Sequence, residues 1–478
     1  MPNTSALFTL NRRKFLVGMS GALGLAMLPP WAKAVAASQD RLKTLKTGAA
    51  TFSLEPDGPE AVSGAWGYNE QIPGPLLRFR QGDRLKVVLR NGLDQDTTIH
   101  WHGIRLPNAM DGVPYVTQPP VEPGDEFEYA FDLPDAGTYW YHPHLNATEQ
   151  LGRGLSGPLV IDEPEPYPAD RDLLWFLDDW LLDQDARIVE SFNEIRDITH
   201  EGRIGNTITV NGRLPHAIKV RPGERLRVRL INGANGRIFS LTFGDLPVHV
   251  IALDGQPVEP HEPDQGRVLL GPAMRADLII DCTGDDGRTV AVEDSFQAGR
   301  EFELMTLEFS GPAVDRDDRQ TPPPALPANP VPEPVLDDAE QHEVVFGGGM
   351  RGDLDRQKMM EMRRHGLAWT VNGEPVHDNG KHEHDPLFIL ERDRSYRIVF
   401  RNETEFHHPI HLHGHHFRVI ARNGEKLAIK PLRDTMLMDP RETVEIAFVA
   451  DNPGDWMLHC HILEHQVGGM NGMFRVRG

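Results

Sequence analysis

The chain has 478 residues, room for about three domains at ~150 residues each, and its 39% hydrophobic and 25% charged content is that of an ordinary water-soluble globular protein. Its 49 basic residues against 71 acidic ones leave a net charge of −22, which argues against nucleic-acid partners and anionic membrane surfaces and favours cationic ones. With only two cysteines, Cys282 and Cys460, stability must come from packing rather than from a disulfide framework.

Residues 1–37 read as an export signal. Arg12-Arg13-Lys14-Phe15-Leu16 precedes a short apolar run, Val17 to Leu28, and small-residue sites follow around Ala32 to Ala37, with cleavage expected near Ala36 or Ala37. The paired arginines resemble a twin-arginine signal, which implies the twin-arginine export machinery as a partner and a periplasmic destination. The run is far shorter than the ~20 residues a membrane span needs, and no other segment could span.

Beyond residue 37 the chain reads as three copies of one unit. Gln81-Gly82-Asp83-Arg84-Leu85-Lys86-Val87-Val88-Leu89-Arg90-Asn91 recurs as Pro222-Gly223-Glu224-Arg225-Leu226-Arg227-Val228-Arg229-Leu230-Ile231-Asn232. It recurs more loosely as Arg392-Asp393-Arg394-Ser395-Tyr396-Arg397-Ile398-Val399-Phe400-Arg401-Asn402. Each copy is a turn followed by apolar–polar alternation, the period of a half-buried strand. Strand patterns broken by Pro and Gly predict an all-β protein with a β-sandwich in each third. The expected divisions are 38–164, 165–311 and 341–478, separated by a Pro-rich linker at 312–340. Its Pro-rich stretch from Pro312 to Pro334 should be extended, on the order of 70 Å at ~3.1 Å per residue, long enough for the third domain to fold back onto the first. Cys282, in the strand-like Ala276 to Thr283, reads as a small buried apolar residue.

Four His-x-His pairs carry the chemistry: His100/His102, His142/His144, His411/His413 and His459/His461. Residues two apart on a strand face the same way, so each pair can aim two imidazoles at one cluster. Chance gives about one such pair from 22 His in 478 residues, so one pair would mean little and four in strand-like contexts mean a metal cluster. His382/His384 and the overlapping His413/His415 read as incidental. In His459-Cys460-His461 the Cys side chain faces away from its neighbours and must serve a different metal. Cys460, His465, Met470 and the upstream His408 supply a thiolate, two imidazoles and a weak thioether, the donors of a trigonal blue-copper centre with a long axial bond. Metal would deprotonate Cys460. Electrons would enter there and cross one peptide link to the histidine cluster.

The segments HWHG, WYHPH, HPIHLHG and HCHILEHQVGGM resemble the copper-binding segments of three-domain multicopper oxidases, a family that includes bacterial laccases and periplasmic cuprous oxidases. The resemblance covers essentially the whole chain after residue 37. It implies three cupredoxin-like Greek-key β-sandwich domains and four copper ions, one type 1, one type 2 and two type 3. By position, His408, Cys460, His465 and Met470 match the type 1 ligands, and His100 and His411 the type 2 ligands. His102, His142 and His461 match one type 3 site, and His144, His413 and His459 the other. The middle domain, with scattered His216, His249 and His261, should hold no copper. Asp111, after HWHG, matches the acidic residue that supplies protons for O2 reduction; Asp before Gly112 is also a common turn former, and the two roles are compatible. One departure stands at Gln466, where many bacterial members carry a second acid.

The donor is the least legible feature. A laccase-like oxidase of phenols or aromatic amines, a cuprous oxidase taking Cu(I), and a copper-free structural envelope protein of the same fold are the readings to separate. Met350, Met359, Met360 and Met362 with His365 suit Cu(I) or ordinary packing. The run from Val376-His377 to His384-Asp385 is a second metal-binding surface or a solvated loop. The expected assembly is a monomer.

Overall fold

The structure, a computed structural model, describes residues 42–55, 58, 61–315, 322–350, 360, 362, 364–376 and 385–478. The expected signal at 1–37, Met359 and the run from His377 to His384 lie outside the described residues. The chain forms two units, Met1–Lys43 and Thr44–Gly478, and the second carries three β-sandwiches.

The repeated segment forms an inner strand of one sheet in each sandwich: Arg84–Arg90, Arg225–Asn232 and Ser395–Asn402. The second and third copies have the same neighbours, an antiparallel strand on one side (Arg275–Asp281, Thr443–Val449) and a parallel one on the other (Arg171–Trp180, Glu340–Gly348). In the first copy Leu85, Val87 and Leu89 are buried while Arg84 and Arg90 face solvent, the half-buried strand that alternation predicts.

The second copy departs from that expectation, because all eight residues of Arg225–Asn232 are buried. Its polar face is covered by the first domain and by neighbouring strands, and each arginine is matched with acid. Arg225 pairs with Asp281 at 2.6 Å, Arg227 with Glu163 and Asp277 at 2.7 Å each, and Arg229 with Asp172 at 2.8 Å. Thr138 of the first domain donates its hydroxyl to Asp277 at 2.6 Å. Buried charge is tolerated only when paired and hydrogen-bonded, so this ladder fixes how the first two sandwiches meet.

The Pro-rich run lies along this junction. Residues 322–339 form neither strand nor helix. The Asn329 amide bonds both the backbone N–H and the carbonyl of Ala136, at 2.9 and 2.8 Å, and the Pro330 carbonyl accepts from Arg105 at 3.0 Å. The third sandwich is thereby brought against the first. Asn108 donates to the Asp455 carbonyl at 2.7 Å, and Asn452 to the Leu106 carbonyl at 2.9 Å. Those contacts place the strand His100–His102 beside Gly454–Cys460, where the two sets of histidines meet.

Candidate metal centres

Strand register aligns the histidine pairs before any metal is considered. His100 lies opposite His142 in the first domain, and His411 opposite His459 in the third. Across the interface the rings of His100 and His413 stack at 4.0 Å, and those of His102 and His411 at 3.8 Å. His144, His413 and His459 bring their Nε2 atoms together, with His459 at 3.4 Å from His144 and 3.0 Å from His413. His461 completes the cluster, its ring 5.0 Å from that of His102 and 5.2 Å from that of His142.

The outer nitrogens are tied down. His100 Nδ1 donates to the Asp111 carbonyl at 2.8 Å, His142 Nδ1 to Pro143 at 2.9 Å and His411 Nδ1 to Asp434 at 2.9 Å. The inner nitrogens Nε2 of His100, His142 and His411, and both ring nitrogens of His461, are buried without a hydrogen-bond partner. His102 is reversed: Nε2 donates to Asp434 at 3.1 Å and Nδ1 faces inward unpartnered. Buried polar atoms are almost always bonded, so imidazole nitrogens converging unbonded fit metal ions. Burial, reinforced by neighbouring histidines, drives His102, His142, His144, His411, His413 and His461 well below the ordinary imidazole value. They are therefore neutral, the form that ligates.

Two carboxylates touch this cluster. Asp111 caps the short turn Asn108–Met110, and its carboxylate accepts from His413 Nδ1 at 2.8 Å. Gly112 follows at φ +82, where a Cβ would meet the Ile99 carbonyl oxygen at 1.8 Å, so only glycine allows the turn. The second carboxylate, Asp434, escapes the sequence reading. Burial alone would raise it, but the Arg275 guanidinium, bonded at 2.7 and 2.6 Å, holds it well below the usual carboxylate range. Its relation to the histidines is made only by folding, and no motif announces it.

On the opposite face of Gly454–Cys460 lies a smaller pocket. His408 Nδ1 and His465 Nδ1 approach Cys460 Sγ to 3.5 and 3.6 Å and stand 3.1 Å from each other. All three side chains are fully buried, and the Met470 backbone bonds those of Cys460 and His465. Trp369 packs on His465 at 4.2 Å. Burial drives His465 down to about 3 and pushes the Cys460 thiol up, so a metal must displace the thiol proton on binding.

The remaining candidates separate. His415 turns away to pack against Phe448, Trp456 and Phe474. His216 and His261 bond carbonyls beside them, and neither they nor His249 belong to a metal-type cluster among the described residues. Cys282 is a free, buried core residue whose thiol burial pushes up to about 12. Gln466 is buried beside His465 and offers no ionisable proton. Met362 is buried, whereas Met350 and Met360 are exposed.

Two linked pockets of this chemistry in three β-sandwiches define a redox protein built around several metal ions. Multicopper oxidase family models match residues 53–166, 171–292 and 353–478. The multicopper oxidase MmcO of Mycobacterium tuberculosis is 32% identical over 489 residues, covering 94% of this chain and 90% of the relative. A solved multicopper oxidase from Pseudomonas thermotolerans is 36% identical at a TM-score of 0.80, covering 92% of this chain and all of that one. A multicopper oxidase from Campylobacter jejuni, described as a metallo-oxidase, is 25% identical at a TM-score of 0.75, with 91% of each chain covered. The chain belongs to the multicopper oxidase family.

Proposed function

We propose that the protein is a laccase-like oxidase that couples one-electron oxidation of a phenol or aromatic amine to the four-electron reduction of O2 to water. His408, Cys460, His465 and Met470 hold a type 1 copper. His100 and His411 hold the type 2 copper, and His102, His142 and His461, with His144, His413 and His459, hold the type 3 pair. The four copper ions supply electron storage, so that four single-electron oxidations meet one O2. The orphaned imidazole nitrogens support this assignment over a copper-free structural role, which would leave them buried and unbonded. Asp111 orients His413 and relays protons toward the cluster; with Gln466 beside His465 and Asp434 held ionised by Arg275, that task rests on Asp111.

The observation that carries the donor class is a cavity of about 440 Å³ between the second and third domains. Its lining is largely apolar, with Ile204, Phe296, Phe302, Phe406 and Ile462, and charged groups of both signs, Glu201 and Glu405 with Arg237 and Arg300, also line it. His407, next in the chain to His408, forms part of its wall. A ring-sized, largely apolar site suits an electron-rich aromatic, a phenol or an aromatic amine.

A second reading is favoured by Met350, an exposed thioether that suits Cu(I) and whose backbone N–H bonds the carbonyl of Thr199, the residue before the His200 that meets His465, at 3.3 Å. The C. jejuni protein's description as a metallo-oxidase points the same way. The test is oxygen uptake by the copper-loaded protein with Cu(I) or an aromatic amine at equal concentration. Faster uptake with the amine is expected; uptake with Cu(I) alone would replace the first reading by the second.

Residues 1–37 direct export through the twin-arginine machinery, the protein works in the periplasm as a monomer, and its domains span 38–164, 165–311 and 341–478 with a linker at 312–340. No helix among the described residues is long and apolar enough to cross a membrane.

A further inference from the structure

The outer edges of both imidazoles in the Cys460 pocket are covered by the protein itself. His408 Nε2 donates to the Thr404 hydroxyl oxygen at 2.8 Å, and that hydroxyl donates onward to Asn402 at 2.8 Å. His465 Nε2 donates to the backbone carbonyl of His200, a residue of the second domain, at 2.5 Å. His408 and His465 are fully buried, so a donor in the cavity has no free imidazole edge to meet.

The cavity nevertheless touches the covering loop. Glu201 lines it, and the peptide that joins Glu201 to His200 is the one whose carbonyl oxygen bonds His465. From the cavity wall to the imidazole the path is one peptide and one hydrogen bond. The loop is held firmly in that position. The Ile198 carbonyl accepts from Trp369 Nε1 at 2.6 Å, and the same indole packs on His465. The His200 ring bonds the Arg196 carbonyl at 3.0 Å, and the Gly202 N–H bonds the Asp197 carbonyl at 3.2 Å. Gly202 lies flat against the third domain at φ +84, where a Cβ would meet Ile462 Cγ2 at 2.6 Å and Glu464 Oε2 at 3.0 Å. Glycine there allows the loop to reach His465.

We infer that electrons cross from the donor to His465 through the His200–Glu201 peptide, so that a second-domain backbone carbonyl, not an exposed copper-ligating imidazole, is the electron bridge. The step balances as one electron leaving the aromatic ring and one proton leaving its hydroxyl or amine to solvent at the cavity mouth, with the type 1 centre reduced by one electron. Four such steps supply the electrons for one O2. The bridge rests on the proposed type 1 assignment of His465, and the donor class rests on the cavity.

Two measurements decide it. In Cu(I)-loaded, 15N-histidine-labelled protein, the His465 Nε2 proton is expected to give a resolved resonance that exchanges slowly with solvent; exchange as fast as that of free imidazole would overturn the bridge. The second is anaerobic bleaching of the blue band in wild type and Gly202→Ala, with N,N-dimethyl-p-phenylenediamine and with ferrocyanide. Displacing the loop should slow bleaching by both reductants about ten-fold or more, as a shift of ~1 Å in a reacting geometry does elsewhere. The His465 Nε2 proton should lose its protection at the same time. Slowing with the aromatic amine alone would mean that the loop shapes the cavity without conducting, and unchanged rates with both would place the route elsewhere; either result overturns the bridge. Bleaching of wild type by ferrocyanide but not by the amine would remove the aromatic-donor reading, and the ferrocyanide comparison would still decide the bridge.

Discussion

The two faces of the strand Gly454–Cys460 carry pockets of opposite character. Around Cys460 the hydrogen-bond partners of the histidines are uncharged, a threonine hydroxyl and a backbone carbonyl, and the walls are Trp369 and Phe406. Around His459 and His461 the cluster carries two buried carboxylates, Asp111 on His413 and Asp434 on His102. The histidines of the first pocket have no carboxylate partner, although the buried Glu464 stands near enough to Cys460 to help push its thiol up, while two histidines of the second are bonded directly to carboxylates, of which Asp111 is the one free of an arginine partner. On the proposed assignment, the alternation of one strand separates electron intake from proton-coupled oxygen chemistry by a single peptide link.

The sharpest way to break this division is Cys460→Ser. It removes the thiolate while leaving the opposite face intact, so the blue absorption should vanish and turnover should fall to background, while copper analysis still finds three ions. Loss of all four would mean that the faces are not independent.

Acid should act nearly as strongly on the metal-free protein. Burial lowers eight histidines, His102, His142, His144, His408, His411, His413, His461 and His465. Their unfolded value is about 6.5, so below that pH the unfolded chain binds protons that the folded chain refuses, and stability falls as pH falls, by up to ~1.4 kcal/mol per pH unit for each histidine. Denaturant titrations of metal-free protein at pH 7 and 5.5 should show the loss. Greater stability at pH 5.5 would mean charged imidazoles in the folded state.

Asp434→Asn tests the carboxylate that holds domains together as well as His102. It leaves the buried Arg275 guanidinium with only Asp254, at 3.8 Å, as counter-charge, a loss of up to about 3–5 kcal/mol in unfolding free energy by analogy with broken buried pairs. Asp111→Asn should be milder for stability and specific for chemistry. Reoxidation by O2 should slow by about 10–100-fold while the blue band stays, in the range seen for partners of ligating histidines. Unchanged turnover would sink the proton role of Asp111.

How much of this was legible follows the range of the signal. Histidines two apart, a cysteine between two of them and a strand repeat are local patterns, and alternation converts each into a direction in space. Asp434 acts on His102 across 332 residues of sequence, and only the packing of the third domain on the first creates that contact. The same limit explains Arg225, Arg227 and Arg229. Alternation marks them as an outward face, and a covering domain turns that face inward, with acids gathered from Asp172, Asp277, Asp281 and Glu163. The His200 carbonyl is wholly silent in sequence, since every residue has one.

The smallest predicted effect probes the Cys460 face most directly. Met470 is fully buried, and its backbone N–H bonds the His465 carbonyl while its own carbonyl accepts from the Cys460 N–H. That double tie fixes the Met470 backbone to Cys460 and His465, and the proposed assignment makes its thioether the weak axial donor. A thioether favours oxidised copper relative to an apolar side chain, so Met470→Leu, nearly the same volume, should raise the type 1 potential and leave the fold and the opposite cluster unchanged. Redox titration of the blue band measures it. An unchanged potential would remove Met470 from the ligand set and leave Cys460, His408 and His465 as a three-donor site.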